Sequence, residues 1–274
     1  DSGSTGIATV TGSGSQWNNS GNLYVGNEGD GTLNIESGGV VASTYVFIGN
    51  DSGSTGIATV TGSGSQWNNL GDLYVGLEGS GTLNIESGGV VANAWGYIGR
   101  YSGSGGITTV TGSGSQWNNS GKIYVGNYGS GTLNVEAGGV VANTWGYIGR
   151  YSGSTGIATV TGSGYQWTNS SILYVGYSGS GTLNVESGGV VANTTGYIGF
   201  YSGSTGIATV TGSGSQWDNS SNLYIGGGSS GSGGSGTLNL TDSGLATVSD
   251  TVKLWSTGII NLNGGSLTTG SFDN

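Results

Sequence analysis

Along this chain, apolar and polar residues alternate over short stretches, and glycine closes almost every stretch. Over residues 32–36, Leu33 and Ile35 hold one phase while Thr32, Asn34 and Glu36 hold the other. Ala8 and Val10 alternate with Thr9 and Thr11, and Leu23 and Val25 flank Tyr24 in the same way. A period of two predicts strands with one buried face, here with Leu23, Val25, Leu33, Ile35, Ile48 and Val60 inward. Glycine boundaries limit each expected strand to about five residues. No stretch carries helical periodicity, and glycine at this density would weaken a helix throughout.

The alternation is itself repeated. Blocks starting at residues 1, 51, 101 and 151 are nearly identical over fifty residues, and a fifth begins at 201. Each block holds two similar halves of roughly 23 and 27 residues. Both halves run from an apolar–aromatic–apolar–Gly strand through a glycine turn into an alternating strand, then into a second glycine cluster. Halves of this size are expected to be single coils of a solenoid, each too small to bury its apolar side unless stacked on its neighbours. The predicted fold is an all-β, right-handed parallel β-helix of about ten to eleven coils, two per repeat. At the inter-strand spacing of about 4.8 Å, such a rod would be roughly 50 Å long.

Residues 1–225 carry the regular repeats, the fifth of them partial. Between Gly226 and Thr237 the fifth repeat has five more residues than the fourth has between Gly176 and Thr182, so 226–236 is expected to be a looped-out corner. Residues 237–274 keep the alternation but lose the register, as divergent coils of the same solenoid would.

Composition narrows the chemistry. The chain has 63 glycines in 274 residues and no Pro, Cys, Met or His. Absent proline suits a structure in which nearly every internal N–H has a ladder partner. Absent cysteine and histidine remove disulfides, thiolate metal sites and the commonest general base. Four basic residues against fourteen acidic ones give a net charge of −10, which disfavours nucleic acid and anionic membrane surfaces. No apolar run is long enough for a spanning helix, so direct membrane insertion is not expected.

The stretch TVTGSGSQWNNSGNLYVGNEGDGTLNIESGGVV, residues 9–41, resembles the T5SS/PEP-CTERM-associated repeat of bacterial autotransporter passenger domains. The resemblance rests on Gly-Ser-Gly-Ser-x-Trp followed by Leu-Tyr-Val-Gly and Gly-Thr-Leu-Asn-Ile. It implies a secreted or bacterial-surface β-helix that serves as a stalk or adhesin, and it supplies no catalytic residues.

Several rows of residues could carry chemistry. Glu36, Glu86, Glu136 and Glu186 recur two coils apart, about 9.6 Å along the axis. That approaches the carboxylate separation of an inverting glycosidase, but equivalent copies have no means of splitting their pKa values. A uronate lyase would need clustered bases, and Arg100 and Arg150 have none beside them in sequence. No enzyme activity and no cofactor are expected. A structural calcium ion at Glu28 and Asp30 is the metal candidate, weakened because later repeats replace both acids. Trp17, Trp67, Trp117, Trp167 and Trp217 read as corner packing, with Asn19, Asn69, Asn119, Asn169 and Asn219 bonding along the stack or capping the turn.

The positions that drift are the candidate site. Tyr45, Trp95 and Trp145 share one repeat position; Arg100, Arg150 and Phe200 share another, beside Tyr101, Tyr151 and Tyr201. With Tyr97, Tyr147 and Tyr197 they form an expected lateral stripe, suited to a glycan or a surface protein. The competing reading is packing between coils. The functional expectation is therefore a non-catalytic extracellular stalk or adhesin segment mediating attachment. The alternative is a fibre subunit associating end to end through uncapped coils, and a polysaccharide-active enzyme stands third.

Overall fold

The structure is a computed structural model that describes residues 3–164 and 166–274. Up to Ile225 each coil contributes one long strand and two short ones, for example Thr55–Thr61, Gln66–Asn69 and Leu73–Val75, before the next coil opens with Ser80–Glu86. The long strands stack into an eleven-stranded sheet, and the short strands form two columns that belong to one second sheet. All named strands pair parallel with the coils above and below. The chain is thus a parallel β-solenoid of about eleven turns, with no helix among the described residues.

Register explains how one repeat makes two coils. On the long sheet Ser80 lies between Thr55 and Gly105, so both coils take 25 residues there. On the outer short column Gly96 lies between Leu73 and Ile123, which gives 23 and 27. On the inner short column Val90 lies between Gln66 and Gln116, which gives 24 and 26, so the halves are unequal on both short columns and equal only on the long sheet. Corner lengths compensate: the turn before Gln66 is longer than the turn before Val90, and the corner before Ser80 is shorter than the one before Gly105.

The long strands have seven residues rather than five. A residue pair such as Ser80-Gly81 joins the ladder ahead of the alternating segment, because ladder pairing needs only backbone. Glycine is required there: a Cβ on Gly31 would collide with the Gly26 nitrogen of the adjoining corner. Gly26 itself has φ +74°, the left-handed region that a Cβ disfavours.

Inside, Leu23, Val25, Leu33, Ile35, Ile48 and Val60 are all buried in one continuous core, as the alternation predicts. Corner packing does not describe the tryptophans. Trp67, Trp117, Trp167 and Trp217 sit within the inner short strands and point into the core with no exposed surface. Strand phase decides this, since Trp117 pairs with the inward Val91 and Val141. Each indole N–H then needs an acceptor. Trp117 donates to Asn93 Oδ1 at 2.7 Å, and Asn93 Nδ2 donates to Asn119 Oδ1 at 2.6 Å. The unit recurs at Trp167–Asn143–Asn169 and Trp217–Asn193–Asn219. A buried indole left without its acceptor would lose about 1–3 kcal/mol. Asn119, Asn169 and Asn219 therefore bond along the stack in pairs, Asn69 accepts from Ser43, and Asn19 caps its own turn at the Gly21 and Asn22 carbonyls.

After Gly226, residues 227–234 form the longer corner, closed by an antiparallel bridge between Gly227 and Ser232. Strands Ser235–Thr241, Leu245–Leu254, Gly258–Asn263 and Ser266–Asp273 continue the two sheets.

Candidate functional site

The outer short column carries a ladder of aromatic rings. In the strand Leu73–Val75 the flanking residues point inward, which leaves Tyr74 on the outside. Stacking the coils brings Tyr24, Phe47, Tyr74, Tyr97, Tyr124, Tyr147, Tyr174, Tyr197 and Tyr224 into one file. Neighbouring rings are stacked 4.8–5.1 Å apart. Each such pair contributes about 0.5–1.5 kcal/mol beyond area burial. The next two register positions are Lys253 and Asp273, which close the file with a 2.8 Å ion pair.

This ladder changes the part played by three of the predicted stripe residues. Tyr97 and Tyr147 are only 6% and 4% exposed, and Tyr197 is half-buried, so they are the floor of the site rather than its rim. The intervening Tyr124 and Tyr174 were absent from the expected stripe. The signal for them was the shared Leu-Tyr-Val and Gly-Tyr-Ile skeleton, which places both tyrosines at one position of successive coils.

Two flanks rise beside this floor. On one, Trp95, Lys122 and Trp145 follow each other on successive coils, with Lys122 paired to Trp145 in register. The Lys122 ammonium lies 5.3 Å from the Trp95 ring and 5.0 Å from the Trp145 ring, a cation held between two indoles. Glycine at 121 makes room, since a Cβ there would strike Trp95. Tyr45, half-exposed, begins the same flank near the chain's start. On the other flank, backbone hydrogen bonds place Arg100, Asn127, Arg150, Tyr177 and Phe200 in line. Arg100 Nη1 donates to Asn127 Oδ1 at 2.8 Å, and its guanidinium carbon lies 4.7–5.8 Å from the Tyr97, Tyr101 and Tyr128 rings. Arg150 sits among Tyr124, Tyr147, Tyr151 and Tyr177 at 4.5–5.5 Å.

Further out, Tyr101, Tyr128 and Tyr151 form the rim, with Tyr128 stacked on Tyr151 at 4.0 Å. Tyr128 escaped the sequence reading because it stands in the other half-repeat, in place of an acid. Where Phe200 replaces arginine, it packs edge-on against Tyr174, Tyr197 and Tyr201 and flat on Tyr177. The stripe therefore has a cationic centre at Arg100, Lys122 and Arg150 and an apolar continuation at Phe200 and Tyr201.

Electrostatics set this centre apart. It holds three of the four basic residues of a chain whose net charge is −10. Among the described residues, Lys253–Asp273 is the side-chain ion pair in evidence, and no carboxylate bridges to the three central cations. Burial pushes the Tyr74, Tyr97, Tyr124 and Tyr174 phenols above the ordinary tyrosine range. Interaction with the Arg150 guanidinium instead draws the Tyr151 phenol below it. Trp95, Tyr97, Arg100, Lys122, Tyr124, Asn127, Tyr128, Arg150 and Tyr151 enclose a cavity of about 250 Å³ that opens to solvent. A larger cavity of about 400 Å³ at the first coil is lined by Trp17, Tyr24, Glu28 and Asp30 and holds no cationic side chain.

The remaining candidates lie elsewhere. Glu36, Glu86, Glu136 and Glu186 alternate with Thr61, Thr111 and Thr161 on the outer face of the long sheet. Among the described residues no group of three or more carboxylates gathers to hold a metal ion, at Glu28 and Asp30 or elsewhere.

No family model matches the chain, and no curated protein matches it, so the repeat-family resemblance rests on its motif alone. Among solved structures, the chain is similar to the TibC-catalyzed, hyper-glycosylated fragment of TibA covering that protein's residues 55–350. The match is 20% identical and covers 99% of this chain and 100% of that one, at a TM-score of 0.30, too low to carry any argument from that protein to this one.

Proposed function

We propose that this protein is a non-catalytic attachment segment, displayed outside a bacterial cell, in which the solenoid is a rigid support and the aromatic–cationic edge is the contact surface. One observation carries the reading. The backbone repeats from coil to coil, yet exposed aromatics and unpaired cations gather on one edge over the coils between Trp95 and Tyr151. Packing alone would be served by tyrosine or apolar residues in each coil, as the buried ladder is. It gives no reason to place Lys122 and Arg150 where no carboxylate answers them. Rigid aromatic faces beside cationic donors suit a sugar or protein surface, because they offer contact area at small entropic cost.

The test is attachment of beads coated with the whole chain to glycan-bearing and protein-bearing surfaces. Replacing Trp95, Tyr101, Trp145 and Tyr151 by Ser should abolish attachment and lower the melting temperature only slightly. Intact attachment combined with a large loss of stability would show the edge to be packing and end this reading.

A further inference from the structure

We infer that the cavity between Lys122 and Arg150 is a subsite for the carboxylate of an acidic sugar, so that the edge selects carboxylated over neutral glycans. This deepens the attachment reading and rests on it. Three observations lead here. The first is uncompensated charge: Lys122 meets only the Trp95 and Trp145 rings, and Arg150 is surrounded by tyrosine rings. Arg150 is half-buried, and its hydrogen-bonding neighbours are the Tyr147 and Tyr151 phenols rather than a carboxylate. Ring faces answer a cation weakly, and a carboxylate bound between the two side chains would supply the missing opposite charge.

The second observation is size and lining. At about 250 Å³ the cavity has room for a single pyranose ring rather than a folded peptide segment. The stacked Tyr128 and Tyr151 at its rim and the part-exposed Trp95 line it with aromatic surface of the kind that packs against a sugar ring. Asn127 turns its Oδ1 to Arg100, which fixes that guanidinium on the same flank of the cavity as Arg150. The third observation is contrast. On the same edge, Glu28, Asp51 and Glu78 occupy the coil positions that Tyr101, Tyr128 and Tyr151 take further on. Acidic residues there would repel a carboxylate, so the acceptance of an acid is confined to the central coils. At physiological ionic strength charges beyond about 8 Å are screened, and the net negative charge of the rod does not prevent recognition at this range.

The discriminating experiment titrates the whole chain in solution with trigalacturonate and with its fully methyl-esterified counterpart, following tryptophan fluorescence. The acid should bind at least tenfold more tightly than the ester. Lys122→Gln should remove that preference while leaving circular dichroism and melting temperature unchanged, and Arg150→Gln should do the same wherever it folds. Equal affinity for acid and ester, or an unchanged preference in Lys122→Gln, would overturn the inference. The titration in solution reads this proposal, and bead attachment reads the function. Surface attachment without acid preference therefore overturns the subsite alone, whereas acid preference in a chain that attaches to nothing overturns the attachment role alone.

Discussion

The same corner of the solenoid is built twice with opposite chemistry. In the coils up to Glu78 its outermost row reads Glu28, Asp51, Glu78, beside Asn27, Asn50 and Leu77. In the coils from Arg100 it reads Tyr101, Tyr128, Tyr151, beside Arg100, Asn127 and Arg150. The backbone bonds do not change: Asp51 N–H donates to Asn27 C=O, and Tyr151 N–H donates to Asn127 C=O, both at 3.0 Å. In this fold the ladders and the inward residues fix the backbone, so outward corner positions can exchange charge for aromaticity without altering the coil. Shape and surface chemistry are decided by different sets of residues. That separation is what allows a nearly exact repeat to carry one local site.

The comparison can be broken from the core side. Trp117→Ala removes an indole that is fully buried and leaves the Asn93 carbonyl without its donor. It should cost about 3–5 kcal/mol, visible as a lower urea midpoint and loss of binding at the nearby edge. Tyr101→Ser, on the rim and 42% exposed, should change stability by less than about 0.5 kcal/mol. Similar costs for the two would mean that shape and surface are not separable here.

Alkaline titration tests the floor that joins the two stretches. Burial raises the pKa values of Tyr74, Tyr97, Tyr124 and Tyr174 above the ordinary tyrosine value of 10.0. A raised folded-state pKa means the neutral phenol is favoured by folding. The stabilisation is therefore complete below pH 10, the unfolded value, and is lost as pH rises through the higher folded values. The melting temperature should stay level up to that point and then fall steeply, with tyrosinate absorbance appearing together with unfolding. Tyrosinate forming well before unfolding would show a ladder open to solvent.

Grafting sharpens the comparison directly. Asn50→Arg with Asp51→Tyr places the central side chains on an acidic coil. If the corner only carries side chains, the double variant should keep its melting temperature within a few degrees; with Glu28 and Glu78 still on the adjoining coils and no lysine on the facing flank, its stoichiometry for trigalacturonate should stay at one. The smallest effect belongs to the end of the ladder. Lys253 and Asp273 are 20% and 58% exposed, so Lys253→Gln should cost at most about 1 kcal/mol, diminishing in salt.

Much of this architecture was legible before any coordinate. Alternation at Leu33 and Ile35, glycine at the corners and the fifty-residue period are local signals, and a solenoid has few ways to satisfy them. The expected stripe was legible only in part. Arg100, Arg150, Trp95 and Trp145 stand out because they drift between otherwise equal repeats. Lys122 and Tyr128 drift as well, since Asn22, Asp72 and Ile172 share the position of Lys122 and Glu28, Glu78 and Ser178 that of Tyr128, but they stand in the other half of the repeat, so the sequence does not show that they meet Trp145 and Tyr151.

The sequence by itself determined which residues face inward, where the chain turns and how many coils there are, because these depend on side-chain phase and on glycine within a few positions. Tertiary structure alone decided which residues become neighbours across coils. That depends on the lengths of three corners per coil, which make the register 25 and 25 on one sheet but 23 and 27 on the outer column. A change of one residue in a corner would move Lys122 away from Trp145 and turn the following strand's side chains to the opposite face. The tryptophans show the same division: their recurrence is written in the chain, but only the pairing of Trp117 with Val91 and Val141 puts the indole in the core and gives its N–H to Asn93.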